Sequence, residues 1–329
     1  MKNGFWQDKR VLVGGGAGFL GSYLTPQLVE AGAKVTVVDN FDNSSVDSLA
    51  PVISQIEFVE GDLRDAATCD RLTKDKDVVM NLAAKAFGME YSRAHNGEML
   101  VYNLLCTLTA LEAARKNNVE RYLIVSSSCV YPDEAAIPTP ELDVFTDMPE
   151  SVNQGYGWAK RIQELAGDYY ARDYGMKVTI VRPFNPYGGH YRWGSEDKAH
   201  VMPALVKRVM DGEDPLVVWG SGNQRRNFLH AQDAMSLLMK IVEKDVVATP
   251  VNVGYDTDVT IAELVDLICD VAGVKPTIVF DTNKPEGRFR KCADATRLRK
   301  VTDGYEPQIS LRDGVAEMLE WYKRSFPRK

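Results

Sequence analysis

The stretch Arg10-Val11-Leu12-Val13-Gly14-Gly15-Gly16-Ala17-Gly18-Phe19-Leu20-Gly21 decides how this chain folds. Val11, Leu12 and Val13 form a short apolar run of the kind that makes a buried strand. The run passes into Gly15-x-x-Gly18-x-x-Gly21, and a helix is expected from there to about Ala31. A second strand, Lys34 to Val38, stops at Asp39, about 20 residues beyond the turn. Strand, glycine turn, helix, strand and acid in this order make a βαβ unit that fits a dinucleotide. The glycines let the main chain approach a pyrophosphate, which rests on the N-terminus of the helix.

Asp39 points to one dinucleotide over another. A carboxylate accepts hydrogen bonds from a ribose diol but repels a 2′-phosphate, so NAD is favoured over NADP. The expected cofactor contacts are Gly15, Gly18, Phe19, Leu20 and Gly21 in the turn, then Asp39. Asp62, Leu63 and Ala83 follow at the ends of the next two strands. Asp62 is suited either to hold an adenine amino group or to cap a helix.

Working outward, strands are expected from Gln55 to Val59, Asp77 to Leu82 and Arg121 to Val125. Helices are expected from Glu98 to Asn117 and from Gln154 to Tyr170. Alternating strands and helices imply an α/β fold, a Rossmann-type doubly wound parallel sheet with its ligand at the carboxyl ends of the strands. A smaller C-terminal α/β substrate lobe includes a helix from His200 to Asp211, a strand from Pro215 to Trp219 and a helix from Ile261 to Ala272. The expected division is 1–184 for the NAD-binding domain, with 228–255 returning to it, and 185–227 plus 256–329 for the substrate lobe.

The chemistry gathers between Ser126 and Lys160. Ser126-Ser127-Ser128-Cys129 stands where the strand from Arg121 runs out, and Tyr156 and Lys160 share one helix face at i,i+4. A free tyrosine titrates near pH 10, so about one in a thousand is phenolate at pH 7. A neighbouring ammonium, and any cationic ring nearby, favours the phenolate. A tyrosine so tuned takes a proton from a sugar hydroxyl while the carbon gives up hydride.

Composition narrows the rest. The 329 residues are 45% hydrophobic and 26% charged, as expected of a globular chain of one large or two modest domains. A net charge of −7 argues against nucleic acid as a partner. No apolar run is long enough for a membrane span, and the first ten residues carry no signal-peptide core, so no membrane partner is expected. The five cysteines (Cys69, Cys106, Cys129, Cys269, Cys292) are scattered and form no C-x-x-C pair, which reads as a reducing cytoplasm without disulfides or zinc. The four histidines show no metal-site spacing, and no metal is expected.

The glycine turn, Asp39, the Ser127 strand end and Tyr156-x-x-x-Lys160 together resemble the extended short-chain dehydrogenase/reductase family, over essentially the whole chain. The likeness continues in Arg182-Pro183-Phe184-Asn185-Pro186-Tyr187-Gly188 and in Trp219-Gly220-Ser221-Gly222-Asn223-Gln224-Arg225-Arg226-Asn227-Phe228. Within the family it is strongest to the GDP-mannose 3,5-epimerases and the GDP-fucose synthases. The former are similar in Asn81-Leu82-Ala83-Ala84, Gly88-Met89, Ser127-Ser128-Cys129-Val130-Tyr131-Pro132 and Glu196-Asp197-Lys198-Ala199. The latter are similar in His200-Val201-Met202-Pro203 and in Lys284-Pro285-Glu286-Gly287 with Arg290-Lys291.

The resemblance implies an NAD-dependent nucleotide-sugar epimerase, GDP-mannose 3,5-epimerase-like, with a GDP-linked sugar favoured. A fucose-synthase-type epimerase/reductase or a simple 4-epimerase is the alternative. Tyr156 would remove the 4-hydroxyl proton, Lys160 would tune it, and Ser127 would orient the oxygen. Cys129 would exchange protons with Lys198, the favoured partner, or His200 on the opposite ring face. Gly88, Met89, Ser128, Asn185, Lys198, Arg226 and Arg290 would bind substrate, the two arginines as planar forks for phosphate. A homodimer through paired helices is also implied.

Overall fold

The central strand of the fold is the one read first. In the computed structural model, which describes residues 4–193, 198–284 and 287–326, it spans Arg10–Gly14 (β1). It lies between Lys34–Asp39 (β2) and Val78–Asn81 (β4), both parallel to it. Glu57–Glu60 (β3) closes one edge. Arg121–Val125 (β5), Lys177–Pro183 (β6) and Val251–Val253 (β7) extend the other. The order β7-β6-β5-β4-β1-β2-β3 reverses direction between β1 and β4, the switch point where doubly wound sheets bind ligands. β7 pairs with β6 from Val251 to Val253.

Strand alternation separates two cores. Val11 and Val13 enter one apolar cluster and Leu12 the other. The first is covered by Gly21–Glu30 (α1) and, from further along the chain, by Ala231–Glu243. The second is covered by Ala66–Thr73 (α2), by part of Asn96–Lys116 (α4), and by Gln154–Tyr174 (α5) at its margin. A one-turn helix, Met89–Ala94 (α3), precedes α4. Each fully buried Val or Leu in these clusters contributes about 1.5–3 kcal/mol, which is why the strands read as continuous apolar runs.

A third cluster packs separately under Val201–Asp211 (α6), Ile261–Ala272 (α8) and Leu311–Ser325 (α10). Ala231–Glu243 is α7, and Thr296–Val301 is α9. Two parallel strands, Leu216–Trp219 and Ile278–Asp281, belong to the third cluster. α8 starts on a capping box between Thr260 and Glu263 and ends at Gly273, whose φ of 71° is left-handed.

Two expectations shift. The strand expected from Gln55 begins at Glu57, because Ile53–Gln55 forms a turn of 3₁₀ helix instead. Asp62 does not cap α2. Asp65 does, accepting from the Thr68 N–H at 2.9 Å. Glu196, Asp197, Pro285 and Glu286 of the motifs quoted above lie outside the described residues. No helix among the described residues is long and apolar enough to cross a membrane.

Candidate active site

A cleft of about 1030 Å³ opens over the carboxyl ends of β1, β4 and β5. Gly15, Gly18, Phe19, Leu20 and Gly21 form its floor at one end, with Asp39, Asp62, Leu63 and Ala83 beside them. Gly15 holds a left-handed φ of 70°, and a Cβ on it would sit 2.9 Å from the Ala83 backbone. A Cβ on Gly21 would meet the Gly15 carbonyl oxygen at 2.4 Å. A side chain at either position would collide with neighbouring main chain, so the glycines keep the tight, close-packed turn that fits a dinucleotide. α1 carries no side-chain cap at its N-terminus, the end of a helix that attracts an anion.

Asp39 is built into this floor and is 7% exposed. One oxygen accepts from the Ala17 N–H at 3.0 Å, inside the glycine turn. The other accepts from the Phe41 N–H at 3.1 Å and the Ser44 hydroxyl at 2.6 Å. Asp62 is held by Arg64 and by the Asn40 amide, and the Arg64 hydrogen bond takes its pKa down to about 2.

At the other end of the cleft stand Ser127, Ser128, Cys129, Tyr156 and Lys160. The strand end and α5 are tied together by side chains the sequence reading did not single out. Arg161, fully buried, donates from Nε and Nη2 to the Val130 carbonyl at 2.8 and 2.6 Å. Arg182 and Glu164 pair at 2.6 Å in the core, and Ser126 hydrogen-bonds Glu164. Gly157 allows the close approach, since a Cβ there would lie 2.8 Å from the Cys129 carbonyl oxygen.

Lys160 donates to the Val125 carbonyl at 2.8 Å and lies 5.3 Å from the Tyr156 ring centroid. Burial brings its ammonium pKa down to about 8. Burial also pushes the Tyr156 phenol above its ordinary value, with Cys129 adding to the rise and the Ser127 hydrogen bond opposing it. Lys160 alone therefore does not lower the tyrosine in the protein by itself. Burial dominates the phenol, and Lys160 is not among the groups that shift it.

Cys129 lies on a 3₁₀ turn, Ser128–Val130, and its N–H donates to the Ser127 hydroxyl at 3.2 Å. Burial pushes its thiol up to about 11. Lys198 and His200 both line the same cleft. The Lys198 carbonyl accepts from the Gly88 N–H at 2.9 Å, and a Cβ on Gly88 would collide with the Ala199 carbonyl oxygen at 2.2 Å. The Lys198 ammonium rests over the rings of Phe87 and Tyr91, 5.3 and 4.9 Å from their centroids. His200 is exposed to the cleft, its Nε2 3.3 Å from the Ala86 carbonyl oxygen. Loss of hydration between the cleft walls lowers its pKa, so the ring is neutral at pH 7.

Met89, Asn185 and Arg226 complete the wall, and the Asn185 amide donates to the Asn227 carbonyl at 2.9 Å. Arg290 does not join them. Arg225–Arg226 pairs with Arg290–Lys291 in parallel, Arg290 opposite Arg225 and Lys291 opposite Arg226. Successive residues on a strand face opposite ways. Arg225 and Arg290 both reach Asp258, at 2.6 and 2.5 Å, whereas Arg226 and Lys291 line the cleft. Arg288 lines it too: its Nη2 donates to the Ala135 carbonyl at 3.3 Å, and its buried Nη1 has no partner among the described residues. A motif search keyed to Arg-Lys cannot tell which of two adjacent cations faces inward.

The sequence agrees with this geometry. The model of the NAD dependent epimerase/dehydratase family matches residues 11–254. The chain is 30% identical to the GDP-L-fucose synthase of Escherichia coli (strain K12), covering 97% of this chain and 98% of that protein. It is 26% identical to GDP-mannose 3,5-epimerase 1 of Oryza sativa subsp. indica, covering 99% of this chain and 85% of the relative. The structure of a UDP-glucose 4-epimerase with UDP-glucose from Thermotoga maritima superposes with a TM-score of 0.85 at 27% identity, covering 96% of this chain and 99% of that one. The chain therefore belongs to the NAD-dependent epimerase/dehydratase family of extended short-chain dehydrogenase/reductase enzymes.

Proposed function

We propose that this enzyme inverts C3 and C5 of a GDP-linked hexose through a transient ketone at C4. The observation that carries the reading is that Cys129, Lys198 and His200 line the same cleft as Ser127, Tyr156 and Lys160. A 4-epimerase needs only the last three.

Bound in the glycine cradle, NAD⁺ supplies hydride acceptance at C4 and its return. Ser127 orients the 4-oxygen, and Tyr156 takes the hydroxyl proton with Lys160 and the cationic ring favouring its phenolate. The ketone acidifies the neighbouring C–H bonds, so Cys129 and a partner across the ring exchange protons there. His200 is the better partner on this geometry, since its ring is neutral and open to the cleft, while the Lys198 cation rests on two aromatic rings. Arg226 and Arg288, which both line the cleft, receive the diphosphate.

Turnover of GDP-mannose in D₂O tests the reading. Deuterium is expected at C3 or C5 and not at C4, whose hydrogen travels as hydride. Inversion at C4 alone, without solvent label, would make the enzyme a 4-epimerase. The higher identity to a fucose synthase favours one second reading, an epimerase/reductase, which would consume reduced cofactor in proportion to product.

The division into 1–184 with 228–255, and 185–227 with 256–329, belongs to the same proposal. So does a homodimer through α4 and α5, where Val101, Leu105 and Tyr169 are 55%, 45% and 50% exposed.

A further inference from the structure

Glu150 and Lys291 form an ion pair in the cleft that the chemistry above does not use. Lys291 Nζ lies 2.5 Å from Glu150 Oε1, with the side chains 9% and 2% exposed. Burying such a pair costs several kcal/mol of hydration, and similar pairs are often replaceable by apolar residues without loss. Its neighbour is Cys129. The Asn153 amide donates to Glu150 Oε2 at 3.0 Å and stands 3.7 Å from the Cys129 sulfur. The Glu150 N–H donates to the Cys129 carbonyl at 3.3 Å. Carboxylate, ammonium, amide and thiol therefore form one network, and all four residues line the cleft.

We propose that Glu150 and Lys291 are positioning residues for Cys129: they keep it a proton-donating thiol at rest and receive its charge when the proton leaves. This rests on the C3/C5 exchange proposed above. In that step neutral His200 takes a proton from one face of the sugar carbon. The C–H bond breaks, and its electrons pass into the enolate of the 4-ketone. The enolate carbon then takes the thiol proton on the other face: S–H breaks, C–H forms, and the ketone returns. Thiolate and imidazolium remain, and the imidazolium proton returns to sulfur through solvent.

The opposing charges explain the resting state. Burial raises the thiol, Lys291 lowers it and Glu150 raises it, leaving it at about 11. Although burial pushes the Glu150 carboxyl up, Lys291 holds it down at about 2, so the pair stays ionised. At pH 7 about one thiol in ten thousand is then thiolate, which makes Cys129 a donor. Tyr156 and Lys160 face the sulfur from α5, and Ser127 faces it from its own turn. Lys291 also acts on His200 across the cleft, disfavouring its cation.

Alkylation of Cys129 by iodoacetamide, followed by peptide mass spectrometry on the full-length protein, tests this without any sugar. At pH 8 the rate follows the thiolate fraction, and a tenfold change corresponds to about one pKa unit. Lys291→Met should slow alkylation about tenfold or more, and Glu150→Gln should speed it about tenfold or more. The double variant leaves no unpaired charge buried, so it folds even where a single variant does not, and its rate should lie between the two. Asn153→Ala, which removes no charge, should slow the reaction. A pair that only braces the fold would change both single variants in the same direction or neither, and either outcome overturns the proposal, as does a double variant outside the two singles. Absence of solvent deuterium would overturn the C3/C5 reading and leave the alkylation result standing.

Discussion

Asp39→Asn separates two jobs that one carboxylate performs. Its two oxygens accept three hydrogen bonds, from the Ala17 N–H at 3.0 Å, the Phe41 N–H at 3.1 Å and the Ser44 hydroxyl at 2.6 Å. An asparagine amide has one oxygen, so its NH₂ must face either Ala17 or the Phe41/Ser44 side. The serine hydroxyl can turn to accept, but neither backbone N–H can. At least one buried donor is left unpaired, which costs about 1–3 kcal/mol beyond the loss of a charge-assisted bond. A total of about 2–4 kcal/mol of stability should disappear. The Ala17 bond lies inside the glycine turn, so the cradle should loosen as well. NADH binding should weaken about tenfold, while NADPH, relieved of a charge facing its 2′-phosphate, should bind no worse. Urea unfolding with parallel fluorescence titrations of NADH and NADPH reads both effects. An unchanged unfolding midpoint together with an unchanged preference for NADH would refute the assignment of Asp39.

Tyr156→Phe keeps the ring in its site and removes only the ionisable oxygen, so turnover should fall about a hundredfold or more while NADH binding persists; more than a few per cent of residual activity would reassign the proton relay. Lys160 has a folded pKa near 8 against an ordinary 10.5, so between these values the unfolded chain holds a proton that the folded chain has released. Stability should therefore rise with pH from about 8 toward 10, by an amount on the order of 3 kcal/mol over the full shift, and Lys160→Met should lack the rise in denaturant unfolding. Arg288→Met should raise the KM for the nucleotide sugar about tenfold with kcat little changed, as expected for loss of a charged hydrogen bond. Arg290→Met should lower stability and leave KM alone, because its partner is Asp258; equal KM effects from the two variants would reject the assignment of their faces.

The parts legible in the sequence are those set by short-range rules. Gly15 and Gly21 announce a turn that only residues without a Cβ can make, and the apolar run before them announces the strand. Tyr156 and Lys160 share a face because the helix repeats every 3.6 residues. These constraints lie within one element or between neighbours, so the α/β alternation, Asp39 at the end of β2 and the Ser127 strand end are legible in the sequence.

Tertiary structure decided the rest. Arg290 and Lys291 are adjacent, and a strand turns adjacent residues to opposite faces, but which one faces inward depends on pairing with Arg225–Arg226 and on Asp258, 32 residues away. Glu150 and Lys291 lie far apart in the sequence, and only the fold brings Lys291 to 2.5 Å from Glu150 beside Cys129. The Tyr156 phenol shows the same limit. Its spacing to Lys160 is local, but its pKa follows burial, and burial is summed over everything the chain folds around it. Spacing along the chain determines which groups share an element; the dielectric and the partners each group meets come from residues far apart in sequence, and these only the folded chain supplies.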